Sequence, residues 1–442
     1  MFYRPFYYYL MSPMKGLRKF IGVQDLAVTV INNTIGAGIY VLPAIVGMQM
    51  GAAGILGYLF CGAMLIAIIL CYIEIGSKFN TSGGSYIYVE KVFGPFVGFL
   101  VNWLFFFGWG ILGSAALMNI IADSLAIIFP SFSNPFVRAF LYLVLLGAMV
   151  LVNVRGAKQS VRFLEGITII KLIPLFGIIL FGVKGIKVSN LHWEHWPPVK
   201  TLGDTALILF YAFAGFEVSL SPSGEIKDPK RTVPVGILSG VAIVFIVYIL
   251  IQMTTQGVLG AQISAFKEAP LAEIARRIVG PVGVTIILAA TIISSLGNVG
   301  GDVLATPRLL FAGAEGGLFP AFLAKVHSRF ATPYLAVITY ASLIFVFAVS
   351  GGFKQLAILA SCALLLIYMT VILAMIKLRL KKEGSTFTVP GGLAIPFIAI
   401  AAIGWLLAHL SGREILSTGI FLLIISVIYF LMKGRRGKTG FL

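Results

Sequence analysis

Asn32-Asn33-Thr34-Ile35-Gly36-Ala37-Gly38-Ile39-Tyr40-Val41-Leu42-Pro43 interrupts one apolar run, and Tyr211-Ala212-Phe213-Ala214-Gly215-Phe216-Glu217-Val218-Ser219-Leu220-Ser221-Pro222 interrupts another. Each has a Gly-centred break and a Pro seven residues beyond a Gly, 36 to 43 and 215 to 222. A backbone N–H or C=O without a partner in lipid costs several kcal/mol, so broken helices persist only where they line a polar cavity. Matched breaks in two parts of one membrane chain point to a transporter's binding site.

The rest of the chain supplies the membrane. Of 442 residues, 59% are hydrophobic and 11% charged, which excludes an ordinary soluble domain. Twelve stretches reach the roughly 20 apolar residues a spanning helix needs: 24–48, 52–76, 94–129, 135–153, 161–184, 201–222, 234–258, 277–312, 333–350, 354–376, 393–410 and 415–432. The third and eighth are long enough to be strongly tilted or to carry an extra surface turn. Twelve spans put both termini on one side. That side holds 23 of the 33 lysines and arginines and the other holds 9, with Lys171 inside a span. The positive-inside bias therefore places both termini in the cytoplasm of a cell (inner) membrane protein. The net charge of +17 reflects this asymmetry and attraction to anionic lipid. No basic fold for nucleic acid is present.

Cys61, Cys71 and Cys362 lie in spans without disulfide or metal spacing and read as small apolar packers. His192 and His195 flank Trp193 in an outer loop, with no further ligand nearby, so an interfacial loop is expected and no metal or cofactor. Lys15, Arg18 and Lys19 precede a long apolar run without an A-x-A site, so no cleaved signal is expected. Phe2–Tyr9 reads either as an interfacial anchor or as sequence before a true start at Met11 or Met14.

A second correspondence accompanies the breaks. Gly94-Pro95-Phe96-Val97-Gly98 opens span three and Gly280-Pro281-Val282-Gly283 opens span eight. Five spans separate span one from span six, so a repeat of five is inverted in topology. The expected fold is an all-α polytopic membrane protein of twelve transmembrane helices. It has a 5+5 inverted, LeuT-like repeat with helices one and six discontinuous. Residues 1–23 form a cytoplasmic segment, 24–184 the first repeat, 201–376 the second, 393–432 spans eleven and twelve, and 433–442 a basic tail.

Four stretches resemble the amino acid–polyamine–organocation superfamily, over nearly the whole chain: Ile35-Gly36-Ala37-Gly38-Ile39, Gly83-Gly84-Ser85-Tyr86-Ile87-Tyr88, Gly224-Glu225-Ile226-Lys227-Asp228-Pro229-Lys230-Arg231-Thr232-Val233-Pro234, and Gly316-Gly317-Leu318-Phe319-Pro320. Asn80-Thr81-Ser82 departs from the family, which usually carries a Pro just before the Gly-Gly pair. The resemblance implies alternating access, with substrate held at mid-membrane between spans one, three, six, eight and ten.

Physically, the first break (Ile35, Gly36, Ala37, Gly38, Ile39) offers N–H groups at a half-helix N-terminus, which suit a carboxylate by about 0.3–1 kcal/mol. Carbonyls around Phe213, Ala214 and Gly215 at the second can accept from an ammonium. A pair of packing glycines is the bland alternative. Tyr211 reads as an aromatic closing over substrate or as a packing tyrosine. Lys171 costs about 2.5–3.5 kcal/mol in mid-span, so it should meet carbonyls or an acid, unless it snorkels to the cytoplasmic edge. By resemblance it stands where sodium-coupled relatives hold sodium. Glu217 is either a proton carrier or an acid tying the broken segment together. Glu74 reads as an interfacial or gate-pairing residue ahead of a proton relay. Asp302, which by resemblance lines the chamber, pairs a basic substrate, pairs a protein cation, or carries a proton. Asn102 and Asn298 read first as bundle hydrogen bonders.

The expected function is a sodium-independent amino acid carrier, by proton-coupled symport or by exchange. A cationic amino acid or polyamine antiporter is the alternative. A channel would need a continuous polar pore, and an enzyme a reactive constellation that His192, His195, His327 and His409 do not form.

Overall fold

The helical stretch Gly38–Lys78 has 41 residues and, if straight, would be about 60 Å long, twice the ~30 Å hydrocarbon core. The chain solves this by turning at Gly51–Ala53. The computed structural model describes residues 21–78, 85–155, 161–220, 226–315, 319–330, 332–381 and 388–436. Several sequence features lie outside them: the N-terminal segment to residue 20, Asn80–Gly84, Ser221–Glu225 including Pro222, Gly316–Leu318, and the tail from residue 437.

In order, the helices are α1 (Val23–Thr34), α2 (Gly38–Met50), α3 (Gly54–Lys78), α4 (Ser85–Phe93), α5 (Pro95–Ile128), α6 (Pro135–Val154), α7 (Val161–Gly182), α8 (Val199–Phe213), α9 (Pro229–Leu259), α10 (Pro270–Val279), α11 (Pro281–Ala305), α12 (Pro307–Glu315), α13 (Tyr334–Ser350), α14 (Phe353–Leu380), α15 (Ala394–Leu407) and α16 (Gly412–Arg436). Among the described residues there is no strand, and the only β-bridge joins Ile21 to Ile226. Among the described residues, eight segments are long and apolar enough to cross a membrane, and α13 and α15 are shorter apolar helices.

The eighth span differs from its sequence reading. Instead of one long tilted helix, residues 270–315 form α10, α11 and α12, because Pro281 and Pro307 each start a new helix. The connection around 261–276 likewise contains a 3-10 turn, Gly260–Phe266, and most of α10.

The bundle has an enclosed centre and a lipid-facing rim. Few residues of α6 and α16 are buried, whereas α5, α8 and α14 are mostly enclosed. α1 lies close against α9: a Cβ on Gly236 would come 2.9 Å from Leu26, and one on Gly240 2.8 Å from Val30. Small residues allow this backbone approach where water supplies no driving force. α1, α2, α5, α8 and α11 then converge on one interior cavity.

Candidate functional site

The cavity, of about 270 Å3, forms where two helices stop. α1 ends at Thr34 and α2 starts at Gly38, leaving Ile35–Ala37 between them. α8 ends at Phe213, Ala214 is extended, and a 3-10 turn follows over Phe216–Leu220. The breaks meet directly. Gly215 has φ +120°, and a Cβ there would fall 2.4 Å from the Asn33 carbonyl oxygen. Gly36 faces α11, where an added Cβ would come 2.9 Å from Asn298 Nδ2.

Interrupted ladders free backbone groups that must be satisfied. The Tyr248 hydroxyl, from α9, lies 3.0 Å from Thr34 O and 2.9 Å from Ala212 O and shares its proton between the two breaks. Lys171 is buried, and its Nζ donates to Asn32 O at 2.7 Å. Its own carbonyl accepts from the Tyr40 hydroxyl at 2.7 Å, so α7 is tied to both halves of the first broken helix. Glu217 Oε2 accepts from Gly215 N–H at 3.0 Å and from the Tyr368 hydroxyl at 2.6 Å. Its Oε1 is buried without a hydrogen-bond partner among the described residues. At the start of α2, Tyr40 N–H turns back to Ala37 O at 3.1 Å, while Gly36, Ala37 and Gly38 line the cavity. The 13-residue helix therefore opens at the cavity, and a helix N-terminus suits an anion.

Tyr211 and α5 form one wall. The Tyr211 hydroxyl donates to Gly113 O at 3.1 Å, and its ring stands 5.7 Å from Trp109 and 5.8 Å from Phe353. Trp109 belongs to a π-helical stretch, Leu104–Ile111, inside α5. Such wide turns recur at functional sites. Opposite, Gly297, Asn298, Gly301 and Asp302 of α11 line the cavity, and Asp302 Oδ2 accepts from Ser114 Oγ at 2.8 Å.

The structure brings together Gly36, Ala37, Gly38, Tyr211, Ala214, Gly215 and Asp302. Ile35 and Ile39 are fully buried and do not line the cavity, and Phe213 packs instead against Tyr58, Phe245 and Tyr248. Glu74 lies elsewhere. Its carboxylate takes a forked pair from Arg379, with Nε at 3.0 Å, and the Val389 N–H at 2.8 Å. Asn102 borders a separate crevice with Trp103, Phe106, Leu310 and Phe319, whereas Asn298 is in the main cavity. Tyr248, Ser114 and Trp109 went unremarked in the sequence. A tyrosine, a serine and a tryptophan in apolar spans carry no spacing signal, and only the partners across the bundle reveal them.

This two-break cavity suits a small ligand with an anionic end. The sequence profile described as amino acid permease matches residues 21–435. The chain belongs to that family. The permease is similar to the serine/threonine exchanger SteT of Bacillus subtilis (strain 168), 28% identical over 437 residues covering 96% of this chain and 99% of the relative. It is also similar to the methylthioribose transporter of the same organism, 27% identical over 95% of this chain and 94% of that one. The branched-chain amino acid permease BcaP of that organism is 24% identical over 97% and 96%. The permease is thus a multi-pass membrane transporter and not an enzyme.

Proposed function

We propose that this permease carries amino acids across the cytoplasmic membrane by alternating access, without sodium, by proton symport or by exchange. The observation that carries the reading is the meeting of two helix breaks at one cavity with the Lys171 ammonium on Asn32 O. The α2 N-terminus takes the α-carboxylate, and the carbonyls at the end of α8 take the α-ammonium. Lys171 supplies a fixed positive charge against the first break, the place a metal cation would otherwise fill. Two of the relatives are named for amino acids and one for a sugar derivative, so the cavity's chemistry has to carry the substrate reading.

Of twelve spans, with both termini cytoplasmic, the first ten form two inverted five-span repeats. Their openings support this. α4 leads through Gly94 at φ +86° into Pro95, and α10 through Gly280 at φ +72° into Pro281. Each following helix then packs a glycine, Gly98 or Gly283, on the residue eight positions earlier, Glu90 or Ala275. Under this orientation Tyr211 and Phe353 cover the outer side, while partly exposed Asn32, Asn33 and Val218 face the cytoplasm. The described state is inward-facing. Glu217 is the proton site, because its unpartnered Oε1 sits at the junction of the breaks.

Uptake of labelled amino acids into proteoliposomes tests this. An inward proton gradient, or internal unlabelled amino acid, should drive saturable accumulation that sodium replacement leaves unchanged. Uptake that requires sodium would overturn the coupling.

A further inference from the structure

Among the described residues, Asp302 is the one acidic side chain lining the cavity, and no lysine, arginine or histidine lines it. Ser114 Oγ holds Oδ2, and Oδ1 takes no hydrogen bond from any described residue. Nor is Asp302 in any ion pair among the described residues. Lys171 is committed to Asn32 O. Beside Asp302 the wall is open: a Cβ added to Gly301, which lines the cavity, would meet no atom within 4 Å. An acid at membrane depth with one oxygen free and space before it lacks the partner such groups normally have.

We infer that Asp302 and Ser114 form the side-chain subsite of the cavity, and that it takes the terminal ammonium of a dibasic amino acid. The inference rests on the amino acid carrier reading above and narrows its substrate class. Asn298, against Gly36 at the first break, lies four residues before Asp302 on α11. Four residues of α-helix advance about 6 Å. A side-chain ammonium one such step from the backbone end of the ligand is within reach of lysine or ornithine, and out of reach of a one-methylene amine. The N–H groups opening α2 favour a ligand that also carries a carboxylate, which a polyamine lacks. Ser114 positions Oδ2, so that Oδ1 is presented to the ligand.

The test is competition for counterflow in proteoliposomes, with lysine, ornithine, 2,3-diaminopropionate, spermidine, serine and leucine as the competing solutes. Wild-type protein should be inhibited by lysine and ornithine at concentrations at least tenfold below those of serine, leucine, diaminopropionate or spermidine. Asp302→Asn should shift the lysine-to-serine preference tenfold or more toward serine, and Ser114→Ala should shift it the same way by a smaller factor. The wild-type measurement stands even where a variant folds poorly. Exchange of neutral amino acids that lysine and ornithine do not inhibit would overturn the subsite and leave the carrier reading intact. So would an Asp302→Asn preference unchanged while the pH profile of uptake flattens, which would make Asp302 a proton carrier. Counterflow of no amino acid at all would overturn the carrier reading and this inference with it.

Discussion

Gly215 lies against the backbone of Asn33, so the second break is seated on the first: a Cβ on Gly215 would stand 2.4 Å from the Asn33 oxygen and 2.8 Å from its carbonyl carbon. Backbone atoms cannot swing aside as a flexible side chain can, and φ +120° is itself strained for any L side chain. Gly215→Ala should therefore lower the unfolding temperature and cut counterflow more than tenfold. Gly38→Ala is the contrast, because its nearest neighbours would be at 3.4–3.8 Å. It should fold with wild-type stability and raise the apparent KM, since the methyl enters the cavity.

Tyr248→Phe removes one hydroxyl from two freed carbonyls, Thr34 O and Ala212 O. Thr34 O keeps the Gly36 N–H at 2.9 Å, whereas Ala212 O loses its hydroxyl, and leaving a buried acceptor without a partner costs about 1–3 kcal/mol. Thermal unfolding should show a lower Tm, and transport should slow because both breaks lose a common anchor. An unchanged Tm and rate would mean the hydroxyl is dispensable.

Glu217 gives a separable prediction for coupling. Gln in its place keeps an oxygen for Gly215 N–H and Tyr368 but cannot take up or release a proton. Glu217→Gln should abolish uptake driven by a pH gradient while exchange between equal internal and external amino acid persists. Loss of both would assign Glu217 to holding the break.

Outside the spans, Glu273 of α10 accepts from Arg276 at 2.6 and 2.8 Å and from Arg277 at 2.9 Å. The Arg276 hydrogen bonds foremost hold its carboxyl below the usual range. A depressed folded value stabilises the fold at pH values above the unfolded pKa, about 4.3, and that stabilisation fades as pH falls through the folded value. The Tm difference between wild type and Glu273→Gln should be present at pH 7 and close below about pH 4.

Much of this was legible in the chain because lipid makes the backbone speak through composition. Gly36, Gly38 and Gly215 stand out as interruptions of apolar runs, and the all-helical, multi-span character follows from apolar length, with eight segments among the described residues long and apolar enough to cross a membrane. Gly280-Pro281 marks the opening of α11 in the sequence, whereas the start of α12 at Pro307 lies inside an apolar run whose length alone does not show it. For Phe213 the sequence points to a backbone carbonyl at the helix end, and it does not show where the ring goes, which is into the Tyr58 and Tyr248 cluster. Tyr248 and Ser114 act on groups 214 and 188 residues away. No local pattern encodes such pairs.

In the proposed carrier the Lys171 ammonium, held on Asn32 O, does the work of a bound cation at the first break. Counterflow of labelled amino acid into proteoliposomes in sodium-free buffer is the decisive measurement. Saturable counterflow without sodium, reduced at least tenfold by Lys171→Ala, is the expected result. Counterflow that appears only with sodium, or ion conductance with no counterflow at all, would contradict it.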